Sequence, residues 1–244
     1  LSLSSAGIAT TAALTASSGL TNNGTFTSDV GFGGMRILAG ALTNPGTLNV
    51  NQSMTLSGAG LAHSHSGSAT IAVGATLMVG GAGTTFANTG TMTGPGSLAL
   101  TGVALSGTGS LVNTQLTGTA SVSPGQSLGI LTVTGAYPHG AGTSLNIELG
   151  GPGVGAGYDQ LTVTGSATLT GGVLNVTLMN AFVPCNGAAF DVLTYGSRIG
   201  TYATVNAPAG MTVSYLPDRL RLTSTTGGVC VAGGKNLQVG TGSI

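Results

Sequence analysis

The sequence predicts an all-β chain: a β-solenoid, or parallel β-helix, followed by a C-terminal β-rich domain of sandwich-like or capping type. Three observations carry this prediction: 45 glycines in 244 residues, only 4% charged and 4% aromatic residues, and a Gly-Thr-Leu-like segment that recurs along most of the chain. Glycine interrupts every helical window and β-branched Thr and Val dominate between the glycines, so helix is disfavoured nearly everywhere. Ala12 to Ala16 is the one place where a short helix is allowed. Disorder does not fit either, because 41% of the residues are hydrophobic and the mean hydropathy is +0.43, whereas disordered chains combine low hydrophobicity with charge. With so few aromatic rings, the core has to be built from Leu, Val, Ile, Ala and Thr, which suit thin stacked layers.

Four regions follow along the chain. Residues 1–23 open with Leu1-Ser2-Leu3-Ser4-Ser5, whose alternation reads as a strand that can add to a neighbour. Residues 24–122 carry the repeats: Gly24-Thr25-Phe26, Gly46-Thr47-Leu48-Asn49-Val50, Gly74-Ala75-Thr76-Leu77-Met78-Val79, Gly90-Thr91-Met92-Thr93, Gly96-Ser97-Leu98-Ala99-Leu100 and Gly118-Thr119-Ala120-Ser121-Val122. Within Gly46 to Val50 a period of two places Leu48 and Val50 on one face and Thr47 and Asn49 on the other. Turns of Asn-Gly and Pro-Gly type (Asn22-Asn23-Gly24, Asn44-Pro45-Gly46, Gly94-Pro95-Gly96) then redirect the chain. Strands this short become stable by stacking, coil on coil at ~4.8 Å. A pair of antiparallel sandwiches also has short strands and frequent turns. A persistent local motif at irregular spacing favours the solenoid, in which each coil touches only its neighbours.

Residues 123–232 carry longer alternating strands, and residues 233–244 form a tail. In order come Ser123-Pro124-Gly125, Gly129-Ile130-Leu131-Thr132-Val133-Thr134-Gly135, Leu145-Asn146-Ile147-Glu148-Leu149 and Tyr158-Asp159-Gln160-Leu161. Gly172-Val173-Leu174-Asn175-Val176, Phe190-Asp191-Val192-Leu193 and Gly200-Thr201-Tyr202-Ala203-Thr204-Val205 complete the series. This order of motifs resembles the passage near the end of autotransporter-type passenger domains and related repetitive bacterial surface proteins, over about half the chain. The resemblance implies an exported β-helix at the bacterial cell surface, acting in adhesion, aggregation or surface coating. Many such proteins continue into a membrane β-barrel; the stretch after Leu222 is too short for one. The expectation is a relative whose barrel and export leader have been removed, or a free-standing one that assembles with itself. No apolar run approaches the ~20 residues of a membrane helix, so membrane insertion is not expected.

Charge and motif content narrow the function classes further. Arg36, Arg198, Arg219, Arg221 and Lys235 balance Asp29, Glu148, Asp159, Asp191 and Asp218, which leaves no electrostatic footprint for nucleic acid. Glu148 and Asp159 are the only acids reasonably close in sequence. Asp159 reads as a turn residue bonded to local backbone rather than half of a glycosidase pair. Asp218, Arg219 and Arg221 read as a solvated strand face, with Asp218 at the Pro217 turn. His63 and His65 share a strand face, but the interleaved Ser64 and Ser66 suit an exposed loop, and His139 after Pro138 also reads as a loop, so no metal site is assigned. Calcium-binding solenoid repeats need a recurring Asp that is missing here, and neither a nucleophile elbow nor a phosphate loop is present. No catalytic, cofactor-binding or metal residue is assigned, and no cofactor is expected.

Cys185 and Cys230 flank the last compact stretch and match neither a redox CxxC nor a zinc cluster. A disulfide between them is expected, worth about 4 kcal/mol by loop entropy; two buried thiols are the alternative. The remaining expectation concerns the ends. End coils present unpaired backbone groups, charges to blunt them are nearly absent, and Leu1, Leu3, Leu237 and Val239 lie in alternating end segments. The expected function is therefore a self-assembling extracellular filament or matrix subunit whose main partner is another copy of itself. The second reading is an adhesin that holds surface polysaccharide, which would call for exposed rings among Tyr137, Tyr158, Tyr195, Tyr202 and Tyr215.

Overall fold

The structure is a computed structural model that describes residues 1–7, 10–32 and 34–228. Every regular element among them is a β-strand, and nearly all strands pair in parallel. The pairing follows one rule: a strand bonds not to its sequence neighbour but to the strand one circuit later, roughly twenty residues along. On the first face Thr25–Ser28 pairs with Thr47–Val50, then Ser68–Ile71, Thr91–Thr93, Ser110–Val112, Ile130–Thr134, Gln160–Val163 and Ala189–Thr194. A second face begins Ala12–Thr15, Arg36–Ala39, Met54–Ser57, Thr76–Gly80. A third begins Leu20–Thr21, Leu42–Asn44, Ala62–His65, Thr85–Asn88.

Two long strands, Ser97–Gly107 and Gln115–Pro124, run through the corner between the second and third faces and join them into one sheet. The register between them shifts from Thr101 to Ala104, and the corner is turned by Gly102 and Gly118, both at positive φ (65° and 93°), where a side chain would be strained.

The repeat motif now has a residue-by-residue explanation. A Cβ built on Gly46 would collide with the Gly24 carbonyl of the preceding circuit; Gly67 would strike Gly46, Gly90 would strike Gly67, and Gly109 would strike Gly90. Glycine is required there because backbone packs on backbone, even though none of the four has a positive φ. The residue after each glycine points outward and carries a hydroxyl. The next points inward, so that Phe26, Leu48, Ala69, Met92 and Leu111 stack in register as part of one continuous core.

Two expectations are corrected, those for Ala12–Thr15 and for the His63/His65 pair, and the one for His139 holds. Ala12–Thr15 is a strand, not a helix, because its amides bond to the Arg36–Ala39 circuit, with Ala12 N on the Met35 carbonyl at 2.9 Å. His63 and His65 are not in an exposed loop: they sit on Ala62–His65 with 1% and 2% exposure, pointing into the core. His139 does lie outside a strand, yet it is buried.

The longer strands after residue 123 join the same parallel sheets, and Gln115–Pro124 itself spans that point. Antiparallel ladders enter only at the end, among the described residues, where Arg219–Ser224 pairs with Ala189–Thr194 and Met211–Tyr215 folds back on it. This hairpin covers the end of the first face. The third face ends on Thr204–Asn206 and the second on Ser197–Ile199, both as parallel edges.

Candidate functional site

Glu148 and Asp159, 11 residues apart in sequence, together line a cleft of about 250 Å³ on the outside of the stack. Asp159 directly precedes the strand Gln160–Val163, and Glu148 lies on Ser144–Leu149 of another sheet. The Asp159 carboxylate accepts the Gly129 amide on Oδ1 at 2.8 Å and the Glu148 amide on Oδ2 at 2.9 Å. It therefore clasps segments 30 and 11 residues away, a longer reach than a local turn. Burial pushes Asp159 up to about 7, against the downward pull of the two amides and with a further upward push from the Glu148 charge. Among the described residues Glu148 Oε2 is buried without a hydrogen-bond partner. Around the two acids stand Ser106, Ser123, Gln126, Ser127 and Asn146. Asn146 belongs to a carboxamide ladder: Asn206 donates to Asn175 at 2.8 Å, Asn175 to Asn146 at 2.9 Å, and Asn146 to Ser121 and Ser123.

A second ladder runs inside the corner that precedes the first face. Asn22 Nδ2 donates to Asn44 Oδ1 at 2.6 Å, Asn44 Nδ2 donates to His65 Nδ1 at 2.8 Å, and His65 Nε2 faces the Thr91 carbonyl at 3.3 Å. These contacts suit one neutral tautomer, protonated on Nε2. Burial lowers the His65 pKa, with the Thr91 carbonyl working against it, and burial alone lowers that of His63, whose Nδ1 accepts the Leu42 amide at 3.1 Å. The two imidazoles are thus engaged with different partners in the interior.

His139 stacks on Tyr137 (5.1 Å between ring centroids) and meets the edge of Tyr202 (5.4 Å). Among the described residues neither ring nitrogen has a hydrogen-bond partner of good geometry, and burial pushes the imidazole down to about 4, opposed weakly by the Ser144 backbone. Tyr137, Tyr158, Tyr195 and Tyr202 are buried and Tyr215 is half-buried, packed against the core, so the expected exposed rings for a sugar platform are not presented by the tyrosines.

The charge group at the end hairpin has a member that sequence spacing did not reveal. Asp191, opposite Arg221 in the antiparallel ladder, receives Arg221 at 2.7 and 2.9 Å and Arg219 at 2.9 Å, while Arg219 also pairs with Asp218. The two guanidiniums hold Asp191 below the usual carboxylate range. Arg36 is fully buried and turned inward, where it donates to the carbonyls of Leu3, Asp29, Val30 and Gly34.

The outer surface of the first face is a column of hydroxyls in register: Thr25, Thr47, Ser68, Thr91, Ser110, Thr132, Thr162 and Thr194. The contacts between neighbours within it are long, 3.4 Å from Thr47 to Ser68 and 3.3 Å from Ser110 to Thr91.

Of the residues expected at the ends, Leu1 is 63% exposed and Leu3 packs partly against the core. Leu237, Val239 and Cys230 lie outside the described residues; Cys185 is buried. The described residues contain no group of three or more His, Cys, Asp or Glu side chains placed to hold a metal ion. No protein-family model matches the chain, and no curated protein matches it.

Proposed function

We propose that this chain is a β-solenoid of an exported bacterial surface or matrix protein of the autotransporter-passenger type, non-enzymatic, whose copies join end to end. The observation that carries the reading is the state of the ends. Ala12–Thr15 and Thr204–Asn206 each have a partner on one side only among the described residues, and such edges are templates for another strand. Among the described residues most of the exposed large apolar side chains gather there too: Leu1, Val30, Phe32 and Met35 at one end, Ile199 and Val205 at the other, with Val73, Val154 and Val183 elsewhere. The scarcity of charge removes the usual protection. The hairpin over the first face restricts joining at that end to the other two faces. No helix is long and apolar enough to cross a membrane among the described residues.

A disulfide between Cys185 and Cys230 belongs to this proposal. Asn186 N donates to Gly228 O at 2.9 Å, which brings the chain alongside Cys185 two residues before Cys230. Peptide mapping without reductant tests the link.

The test of joining uses the edge itself. Ala12 and Ala16 direct their amides to Met35 and Ala39 of the next circuit, so by the alternation of a parallel ladder the Ala13 amide faces the free side. Ala13→Pro removes that donor at an edge position that tolerates proline. Sedimentation velocity is expected to show concentration-dependent growth for the parent and less for the variant; equal behaviour contradicts joining through this edge.

The second reading, an adhesin for surface polysaccharide, is favoured by the hydroxyl column on the first face, which offers one donor and acceptor pair per circuit. Retardation in gels cast with neutral linear polysaccharides tests it.

A further inference from the structure

We propose that the cleft at Glu148 and Asp159 is a binding site for one hard divalent cation, calcium by its chemistry. The argument starts from charge. Two carboxyl groups share the cleft, Asp159 is 1% exposed, and Glu148 Oε2 is buried with no partner among the described residues. Holding a buried acid against a half-buried one is unfavourable unless a proton or a positive charge neutralises the pair.

The described cations of this chain do not supply it. Arg36 is committed to main-chain carbonyls, Arg219 and Arg221 to Asp191 and Asp218, and Arg198 lies over the Tyr215 ring with a bond to the Gly200 carbonyl. The electrostatic partner that acts on Asp159 is another acid, Glu148, and it raises the Asp159 pKa further. Meanwhile two backbone amides are aimed at Asp159 as they would be at an anion. The cleft is organised for a carboxylate, yet no cation among the described residues keeps it ionised.

The donor set identifies the ligand. The lining offers carboxylate, hydroxyl and carboxamide oxygens from Glu148, Asp159, Ser123, Ser127 and Gln126, with no sulfur or imidazole. Hard oxygen donors suit calcium or magnesium rather than zinc or copper. A volume of about 250 Å³ accommodates an ion together with several waters, each taking roughly 30 Å³. An irregular, partly hydrated site with two carboxylates fits calcium's flexible coordination better than magnesium's strict octahedron. Asp159 already ties the start of Ile130–Thr134 to Ser144–Leu149, so an ion here would brace two sheets at a corner.

Thermal unfolding of the whole chain in calcium chloride, against sodium chloride of equal ionic strength, tests this. The dissociation constant expected for such a site is about 10⁻⁴ to 10⁻³ M, and 10 mM calcium is expected to raise the midpoint by about 3 °C, with a further rise in proportion to the logarithm of the calcium concentration. Glu148→Gln, which keeps the shape and both Asp159 amide bonds, is expected to lose the calcium increment while folding normally in sodium chloride. Isothermal titration calorimetry with calcium alone is expected to give one site per chain. Equal midpoints in the two salts, or no saturable heat in the titration, overturns the proposal, and so does an increment that persists in Glu148→Gln.

Discussion

Asn44 and His65, 21 residues apart in sequence, are joined inside the corner by a 2.8 Å hydrogen bond from the asparagine amide to the histidine Nδ1. The histidine occupies a place that asparagine holds in the circuits on either side, since His65 pairs in register with Asn44 below and Asn88 above. Replacing it by Leu strands the Asn44 donor and is expected to cost about 2 kcal/mol. His65→Asn, which restores an amide to the column, is expected to stay within about 1 kcal/mol of the parent. Urea unfolding of both variants checks this order; equal losses would remove the ladder as a source of stability.

Coil-on-coil packing predicts different outcomes for chemically identical changes. A Cβ at Gly24 meets nothing within 4 Å, whereas at Gly67 it strikes the Gly46 carbonyl. Gly24→Ala is expected to be neutral or slightly stabilising, and Gly67→Ala to lose about 3 kcal/mol through forced backbone separation. Thermal midpoints of the two variants compare them directly, and similar midpoints would contradict stacking at this column.

His139 gives the fold an acid-sensitive component. Its folded value is about 4, below the ordinary 6.5, so as pH falls the unfolded chain takes the proton first. Stability is therefore lost between pH 6.5 and 4, by about 3 kcal/mol from this residue. His139→Phe keeps a ring between Tyr137 and Tyr202 and removes two unpartnered nitrogens. It is expected to be about 1 kcal/mol more stable near neutrality and to lose less stability over that window. Unfolding curves from pH 4 to 7.5 test both parts.

Asp159 acts with the opposite sign. Its folded value of about 7 lies above the ordinary 3.8, so the folded chain binds the proton first, and this contribution is full below pH 3.8 and disappears as pH rises through 7. Removing the titration in Asp159→Asn is expected to steepen the rise of stability between pH 4 and 7, on top of an overall loss of about 2 kcal/mol from one misplaced amide acceptor. A slope equal to that of the parent would contradict the burial of an ionisable carboxyl here.

Much of the architecture was legible because the Gly-Thr-Leu motif encodes three directions at once: backbone contact at glycine, solvent at threonine, core at leucine. The interior ladder was legible in principle and was missed. Asn22, Asn44, His65 and Asn88 each stand two places before Gly24, Gly46, Gly67 and Gly90, but Asn before Gly also spells a turn, and the turn hid the column. His65 looked exposed for the same reason: its serine neighbours face outward while it faces in. Asp191 was invisible as the partner of Arg221, because an antiparallel return joins residues 30 apart, and no periodicity announces where a chain doubles back. The Glu148 and Asp159 cleft depends on two sheets meeting at a corner, which a one-dimensional pattern of strands does not specify.

Electron micrographs of the purified protein, taken over a range of concentration and pH, bear most directly on end-to-end joining. Unbranched filaments that lengthen with concentration are the predicted result. Monodisperse single particles under every condition, from protein that retains its strand spectrum by circular dichroism, would contradict it.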